Sequence, residues 1–157
     1  MSDVVEKWGK LVAERGFAQI PTYLLNLNRF LDAEHQLTPI ELLVLFQLVG
    51  NWWKKGEDPF PSMATLAGRC GVSTRQVQRA INNLDSVKLI MRVKRQKRRM
   101  ITSNAYSLQP LVEFLEEIAK TFPNEYPRRV TKEDRIGISK HIGNVLNTVA
   151  TEDEDDD

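Results

Sequence analysis

Residues 65–84 read TLAGRCGVSTRQVQRAINNL, and the punctuation of this stretch decides the fold. Ser62, just upstream, is a good N-cap, and Met63, Leu66, Ala67 and Cys70 share one face of the helix it starts. Gly71 stops that helix, since the turn out of it needs a positive φ that glycine takes without strain. Ser73 caps the next helix, in which Val77, Ile81 and Leu84 fall at i, i+4 and i+7. Ala67 is small enough for the two helices to approach closely. Two short helices joined by about four residues that include a glycine form a helix-turn-helix.

Downstream, Leu89 to Val93 alternates like a strand, QKRR supplies a basic tip, and a second strand is expected around Ala105, Tyr106 and Ser107. A hairpin after a helix-turn-helix is a wing. Upstream, Thr38, Pro39 and Glu41 give an N-cap, a first-turn proline and a first-turn carboxylate, announcing a helix to about Trp53. Leu42, Leu45, Phe46, Val49 and Trp53 make it the central core helix, and KKGEDPFP after it is a loop. Val4, Val5, Trp8, Leu11 and Val12 predict an amphipathic helix over 3–15. Pro21 suits the first turn of a helix carrying Leu24, Leu25 and Leu27, and Pro110 opens another with Leu111, Phe114, Leu115 and Ile118 on one side. Past a linker, PNEYPRR, the stripe Ile138, Ile142, Val145, Leu146 and Val149 predicts a last helix. Gly137 and Gly143 weaken that helix by about 1 kcal/mol each. The expected architecture is mainly α with a small β-hairpin wing, a winged helix-turn-helix with N- and C-terminal helical extensions. Its parts are an N-terminal helix (1–16), the winged domain (17–122), a linker and C-terminal helix (123–150) and a disordered acidic tail (151–157).

The net charge of +1 averages opposites: residues 62–109 hold 10 basic and 1 acidic side chains, whereas residues 151–157 hold 6 acidic and no basic ones. Asp85 alone interrupts the basic run. Such a concentration is the electrostatic footprint of a nucleic-acid-binding surface, with a merely solvated face as the alternative. Leu42 to Phe46 is the longest apolar run, far short of a membrane span, and the first residues lack the apolar core of a secretory signal. A cytoplasmic protein is therefore expected. One cysteine and two histidines cannot build a zinc cluster, and neither GxxxxGK[ST] nor GxGxxG occurs. No enzyme, cofactor or metal site is expected. Cys70 reads as a small core residue, His35 and His141 as surface residues, and Trp52 and Trp53 as one buried and one partly exposed ring.

Ala67, Gly71, Ser73 and Val77 match the pattern of a bacterial helix-turn-helix. GFAQIPTYLL and LTPIELLVLFQL before it, and SNAYSLQPL after it, resemble the winged-helix domain of plasmid and phage replication proteins and related mobile-element regulators. The resemblance covers roughly residues 16–110. It implies double-stranded DNA as ligand and a role in initiation, repression or an accessory step, since one domain type serves all three.

The residues independently point the same way. With Val77 at the origin and about 100° per residue, Arg75, Arg79 and Asn82 lie roughly 140–200° away, on the side opposite the core. Arg75, Gln76 and Arg79 occupy the N-terminal half, which reaches base edges when such a helix enters a major groove, and Gln78, Asn82 and Asn83 extend the polar side. Arginine grips guanine bidentately and glutamine adenine, each worth roughly 1–3 kcal/mol of discrimination. On the wing, Arg92, Lys94, Arg95, Lys97, Arg98 and Arg99 suit the minor groove or flanking phosphates, with a solvated hairpin as the plainer alternative. About five phosphates neutralised there would add about −4 to −5 to the salt slope of log affinity. Ser62, Thr65 and Thr74 fit phosphates through hydroxyls or helix-terminal amides, although caps are needed there anyway. The expected function is sequence-specific binding of double-stranded DNA, with a homodimer and a replication or regulatory partner protein as further expectations and no membrane. A protein-binding adaptor with an acidic partner, or an RNA-binding wing, are the alternatives.

Overall fold

The computed structural model describes residues 3–97, 100–101, 104–123 and 138–154. Helix α4 (Pro39–Gly50) lies at the centre. Its start is a reciprocal capping box: Glu41 N–H donates to Thr38 Oγ1 (3.2 Å) and Thr38 N–H donates to Glu41 Oε1 (2.9 Å), which satisfies two otherwise orphaned amides. Val44, Leu45 and Leu48 on its inner face are wholly buried. It stops three residues short of the expected Trp53, with Asn51 closing its C-terminus.

Helices α5 (Met63–Cys70) and α6 (Thr74–Ser86) form the helix-turn-helix. Ser62 caps α5 by accepting from Thr65 N–H, and Gly71 adopts φ 68° to let Val72 N–H reach back to Ala67 O. Ser73 caps α6, and Val77, Ala80, Ile81 and Leu84 turn inward against α4 and α5. The chain leaves α6 through Lys88 at φ 57°, a left-handed position usually given to glycine. Lys88 and Leu89 N–H groups bond back to Asp85 O and Leu84 O, closing a Schellman-type end, and His141 Nε2 donates to Lys88 O at 2.9 Å.

The wing follows. Strand β1 (Met91–Val93) pairs antiparallel with β4 (Ala105–Ser107), and β2 (Gln96–Lys97) with β3 (Met100–Ile101). From Val93↔Ala105 to Gln96↔Ile101 one side advances by three residues and the other by four, so the register changes by one between base and tip. The far edge of β4 is tied down as well, because Tyr106 N–H donates to Pro59 O at 2.9 Å.

Outside this unit, α1 (Asp3–Trp8) and α2 (Lys10–Ala13) replace the single expected helix. Gly9, at φ 84°, breaks it. Helix α3 (Thr22–Leu25) and two short 3₁₀ turns carry Leu24, Leu27 and Phe30 into the core, where Phe30 packs between Tyr23 and Phe122 at ring distances of 5.7 and 5.3 Å. Helix α7 (Gln109–Thr121) supplies Leu111, Phe114 and Ile118.

Helix α8 (Ile138–Glu154) corrects two expectations. It runs through Thr151–Glu154, so the acidic segment is helical where disorder was expected, while residues 155–157 lie outside the described residues. His141 is not on the surface: it is buried beside Phe114, ring centroids 4.8 Å apart, and joins α8 to the end of α6. His35 is half-buried and bonds Asp32 Oδ1 at 2.7 Å. Trp52 is partly buried against the core, and Trp53, expected on the apolar face of α4, lies beyond the helix and is 77% exposed.

Because a side chain at φ 57° carries a backbone penalty of roughly 1–2 kcal/mol that glycine escapes, part of it lost again to glycine's unfolded-state entropy, Lys88→Gly should stabilise the fold by about 0.5–1 kcal/mol. A urea midpoint that does not rise would show that the lysine's contacts outweigh the backbone gain.

Candidate nucleic-acid interface

The outer side of α6 is a row of exposed polar residues, Thr74, Arg75, Gln76, Gln78, Arg79, Asn82 and Asn83, over a fully apolar inner side. Among the described residues no hydrogen bond or ion pair holds Arg75 or Arg79. Both guanidiniums point to solvent from the first half of the helix. Four other members of the row, Gln76, Gln78, Asn82 and Asn83, make side-chain hydrogen bonds within the protein. Gln76 Oε1 accepts from Ser73 N–H at 3.0 Å in the α6 capping box, which leaves its amide N–H₂ facing outward. Asn83 Nδ2 donates to Glu41 Oε2, so that Glu41 caps α4 with one oxygen and anchors α6 with the other.

Asn82 joins helix to wing. Its Oδ1 accepts from Gln78 Nε2 at 2.9 Å and from Arg92 Nη2 on β1. Arg92, expected at the minor groove or flanking phosphates, is half-buried with Nε enclosed and unpartnered, and its bond to Asn82 ties β1 to α6. Opposite it on the ladder, Tyr106 has its phenol pushed up by burial, against a weaker downward pull from the Arg92 charge. Lys94 is exposed, and Arg95 lies with its guanidinium carbon 3.8 Å from the centre of the Phe60 ring. That contact is a cation–π pair which fixes the wing against the loop before α5. Lys97 belongs to β2, and its side chain, together with Arg98 and Arg99, lies outside the described residues.

Ser62 and Thr65 are exposed at the N-terminus of α5, where Ser62 Oγ donates to Thr65 Oγ1 at 2.9 Å, and Thr74 is exposed at the start of α6. The structure thus brings both helix N-termini, Arg75, Arg79 and the base of the wing into one unit. Residues 35–90 match the family model of a helix-turn-helix domain. The fold is a winged helix-turn-helix. The match ends where β1 begins, so the wing is seen in the structure alone. Comparison with curated proteins gave no match. The winged helix-turn-helix is a DNA-binding unit in general.

Sequence reasoning placed the polar side of α6 but missed Glu41 and Phe60. Glu41 was visible as a first-turn carboxylate, yet its second bond is made to a residue 42 positions away. Phe60 carried no signal at all, being one aromatic in a proline-flanked loop. Cys70 behaves as expected for a packed residue: it is half-buried, and burial pushes its thiol above the ordinary range. No grouping of His, Cys, Asp or Glu able to hold a metal occurs among the described residues.

Two outcomes follow from these contacts. Replacing Glu41 by Ala keeps Thr38 as the cap but removes the side-chain half of the capping box and the acceptor of Asn83 together, so it should destabilise the fold by about 1–2 kcal/mol in urea unfolding. With its pKa raised, Cys70 holds less thiolate at pH 7 than a free cysteine and should alkylate with iodoacetamide more slowly, catching up only as pH rises past the ordinary thiol range; equal rates at pH 7 would contradict this.

Proposed function

We propose that the protein binds double-stranded DNA sequence-specifically in the cytoplasm, acting in replication initiation or transcriptional control of a plasmid- or phage-type element. Arg75 and Arg79 carry this reading: they are solvent-facing and without partners on the helix of a winged helix-turn-helix that enters the major groove. Arg75 and Arg79 read base edges, the free amide of Gln76 adds a donor, and Gln78 is steered by Asn82. Lys94 and Arg95 contact flanking phosphates or the minor groove. Ser62, Thr65 and Thr74 set the register on the backbone through hydroxyls and amides at the helix starts. The choice between initiation and repression rests on the resemblance described above, as does a replication or regulatory partner protein.

A homodimer is part of the proposal, supported by α1 and α2. Val4, Trp8, Leu11 and Val12 are all exposed there, an apolar stripe that no described residue buries. The second stripe that suggested dimerisation contributes less: Ile138, Ile142 and Val145 on α8 pack on their own chain, and Leu146 is the exposed member. Sedimentation at micromolar concentration should show a dimer that Leu11→Glu converts to monomer, whereas a wild-type monomer with and without DNA removes this part.

Selection from random duplex DNA should return one preferred sequence, with affinity falling steeply as salt rises. Arg75→Ala or Arg79→Ala should cost about 1–3 kcal/mol and relax preference at one or two positions, while Lys94→Ala should weaken all sequences alike and lower the salt slope by about 1. No duplex binding near about 50 mM salt, where phosphate contacts are strong, would overturn the reading.

A further inference from the structure

Between the end of α4 and the start of α5 lies an open cavity of about 320 Å³, walled by Trp53 and Phe60 and bordered by Glu57, Asp58, Thr65 and Arg69. Both rings are largely exposed, 77% for Trp53 and 55% for Phe60, although large aromatics in a small protein normally bury most of their surface. The segment that carries them is held in shape. Glu57 N–H bonds Lys54 O at 3.1 Å through a turn in which Gly56 takes φ 89°, and Pro59 is fastened to the wing by Tyr106 N–H. Arg69 is oriented by its bond to Asn51 Oδ1 at 3.2 Å, which engages only part of its guanidinium. No ion pair or side-chain hydrogen bond reaches Glu57 or Asp58 among the described residues.

We propose that this cavity takes one unpaired nucleobase of a DNA strand, beside the duplex held by α6 and the wing. The proposal rests on the DNA-binding reading for the direction from which the strand arrives. Three features select this occupant. Two exposed aromatic side chains line one hollow, and stacking on such rings is how single strands are gripped without regard to pairing. Arg69 in the lining and Arg95 against the Phe60 ring supply positive charge for a strand's phosphates, beside the two carboxylates. Thr65, at the N-terminus of α5, lies in the cavity wall as well as on the DNA-facing surface, which makes the two continuous. The unpaired carboxylates accept hydrogen bonds and donate none at neutral pH, so they suit a base that offers an amino group, such as cytosine, and offer less to thymine.

The test compares the full chain on a blunt duplex with the same duplex extended by a short single-stranded tail. The tailed duplex should bind about tenfold tighter, in the range found for base–aromatic stacking, and a dC tail should outbind a dT tail. Trp53→Ala should abolish the advantage of the tail and leave blunt-duplex affinity unchanged, and Phe60→Ala should abolish it too. Trp53 contributes little to the core, so unchanged thermal midpoints check that the fold persists. A tail that adds nothing for the wild type, or an advantage that survives Trp53→Ala, overturns the proposal while leaving duplex recognition standing. Equal binding of dC and dT tails overturns the part given to Glu57 and Asp58. Trp53-dependent binding of a single strand without any duplex binding would support the cavity and sink the duplex reading. A proline-rich peptide that occupies Trp53 and resists displacement by single-stranded DNA would overturn the choice of occupant.

Discussion

The orientation of α6 depends on one buried carboxylate. Glu41 is only 7% exposed, and both of its oxygens are engaged, one with the amide of Thr38 and the other with the side chain of Asn83. Burying a charge this deeply is costly unless hydrogen bonds replace the lost water, and here they come from two different helices. The cap that starts the central helix is therefore also the pin that sets the rotation of α6 about its own axis. The buried face of Val77, Ala80, Ile81 and Leu84 packs α6 against α4 and α5, and the directional bond at Asn83 adds to it, so that Arg75 and Arg79 stay on the outer side of the helix.

A second tie fixes the wing. Two short strands rarely hold their position on a protein surface by pairing alone. Here β1 is connected to α6 through Arg92 and Asn82, β4 to the Pro59 loop through a backbone bond, and the tip-side Arg95 to Phe60 through its ring. The polar residues of the basic face thus divide by role. Gln76, Gln78, Asn82, Asn83 and Arg92 reach back into the protein and build the platform, whereas Arg75 and Arg79 reach out from it.

How much of this was legible in the sequence depended on the range of the interaction. Caps, turns and apolar spacing act within a few residues, so α5, Gly71, α6 and the pair β1 and β4 could be read directly from residues 62–107, whereas β2 begins inside the stretch read as the tip. The same local reading put Arg75 and Arg79 on the outer face. It went astray where a distant group decided the outcome. His141 looked like a lone surface histidine because its partners, Lys88 and Phe114, lie 53 and 27 positions away in the chain. Arg92 looked like one more cation of the wing, since nothing in the spacing reveals that Asn82 stands beside it. The N-terminal helix failed for a local reason instead: Gly9 sits inside an apolar stripe that continues across it, and the backbone preference of one glycine outweighed the periodicity.

The absence of partners on Arg75 and Arg79 has an energetic consequence for binding. An exposed guanidinium in water is well solvated, so leaving it unpaired costs the fold almost nothing, whereas an ion pair on the same face would have to be broken before a phosphate or base could be gripped. The basic segment carries a single acid, Asp85, near the far end of α6 and 3.9 Å from Lys88. No competing carboxylate lies near the two arginines on their own helix. The geometry that meets a ligand is thus already present in the free protein, and the rotamer entropy of the two arginine side chains is the principal ordering cost that remains on this helix. Rigid scaffold and loose contact groups are separated residue by residue, and this separation lets one small domain be firmly folded and ready to bind.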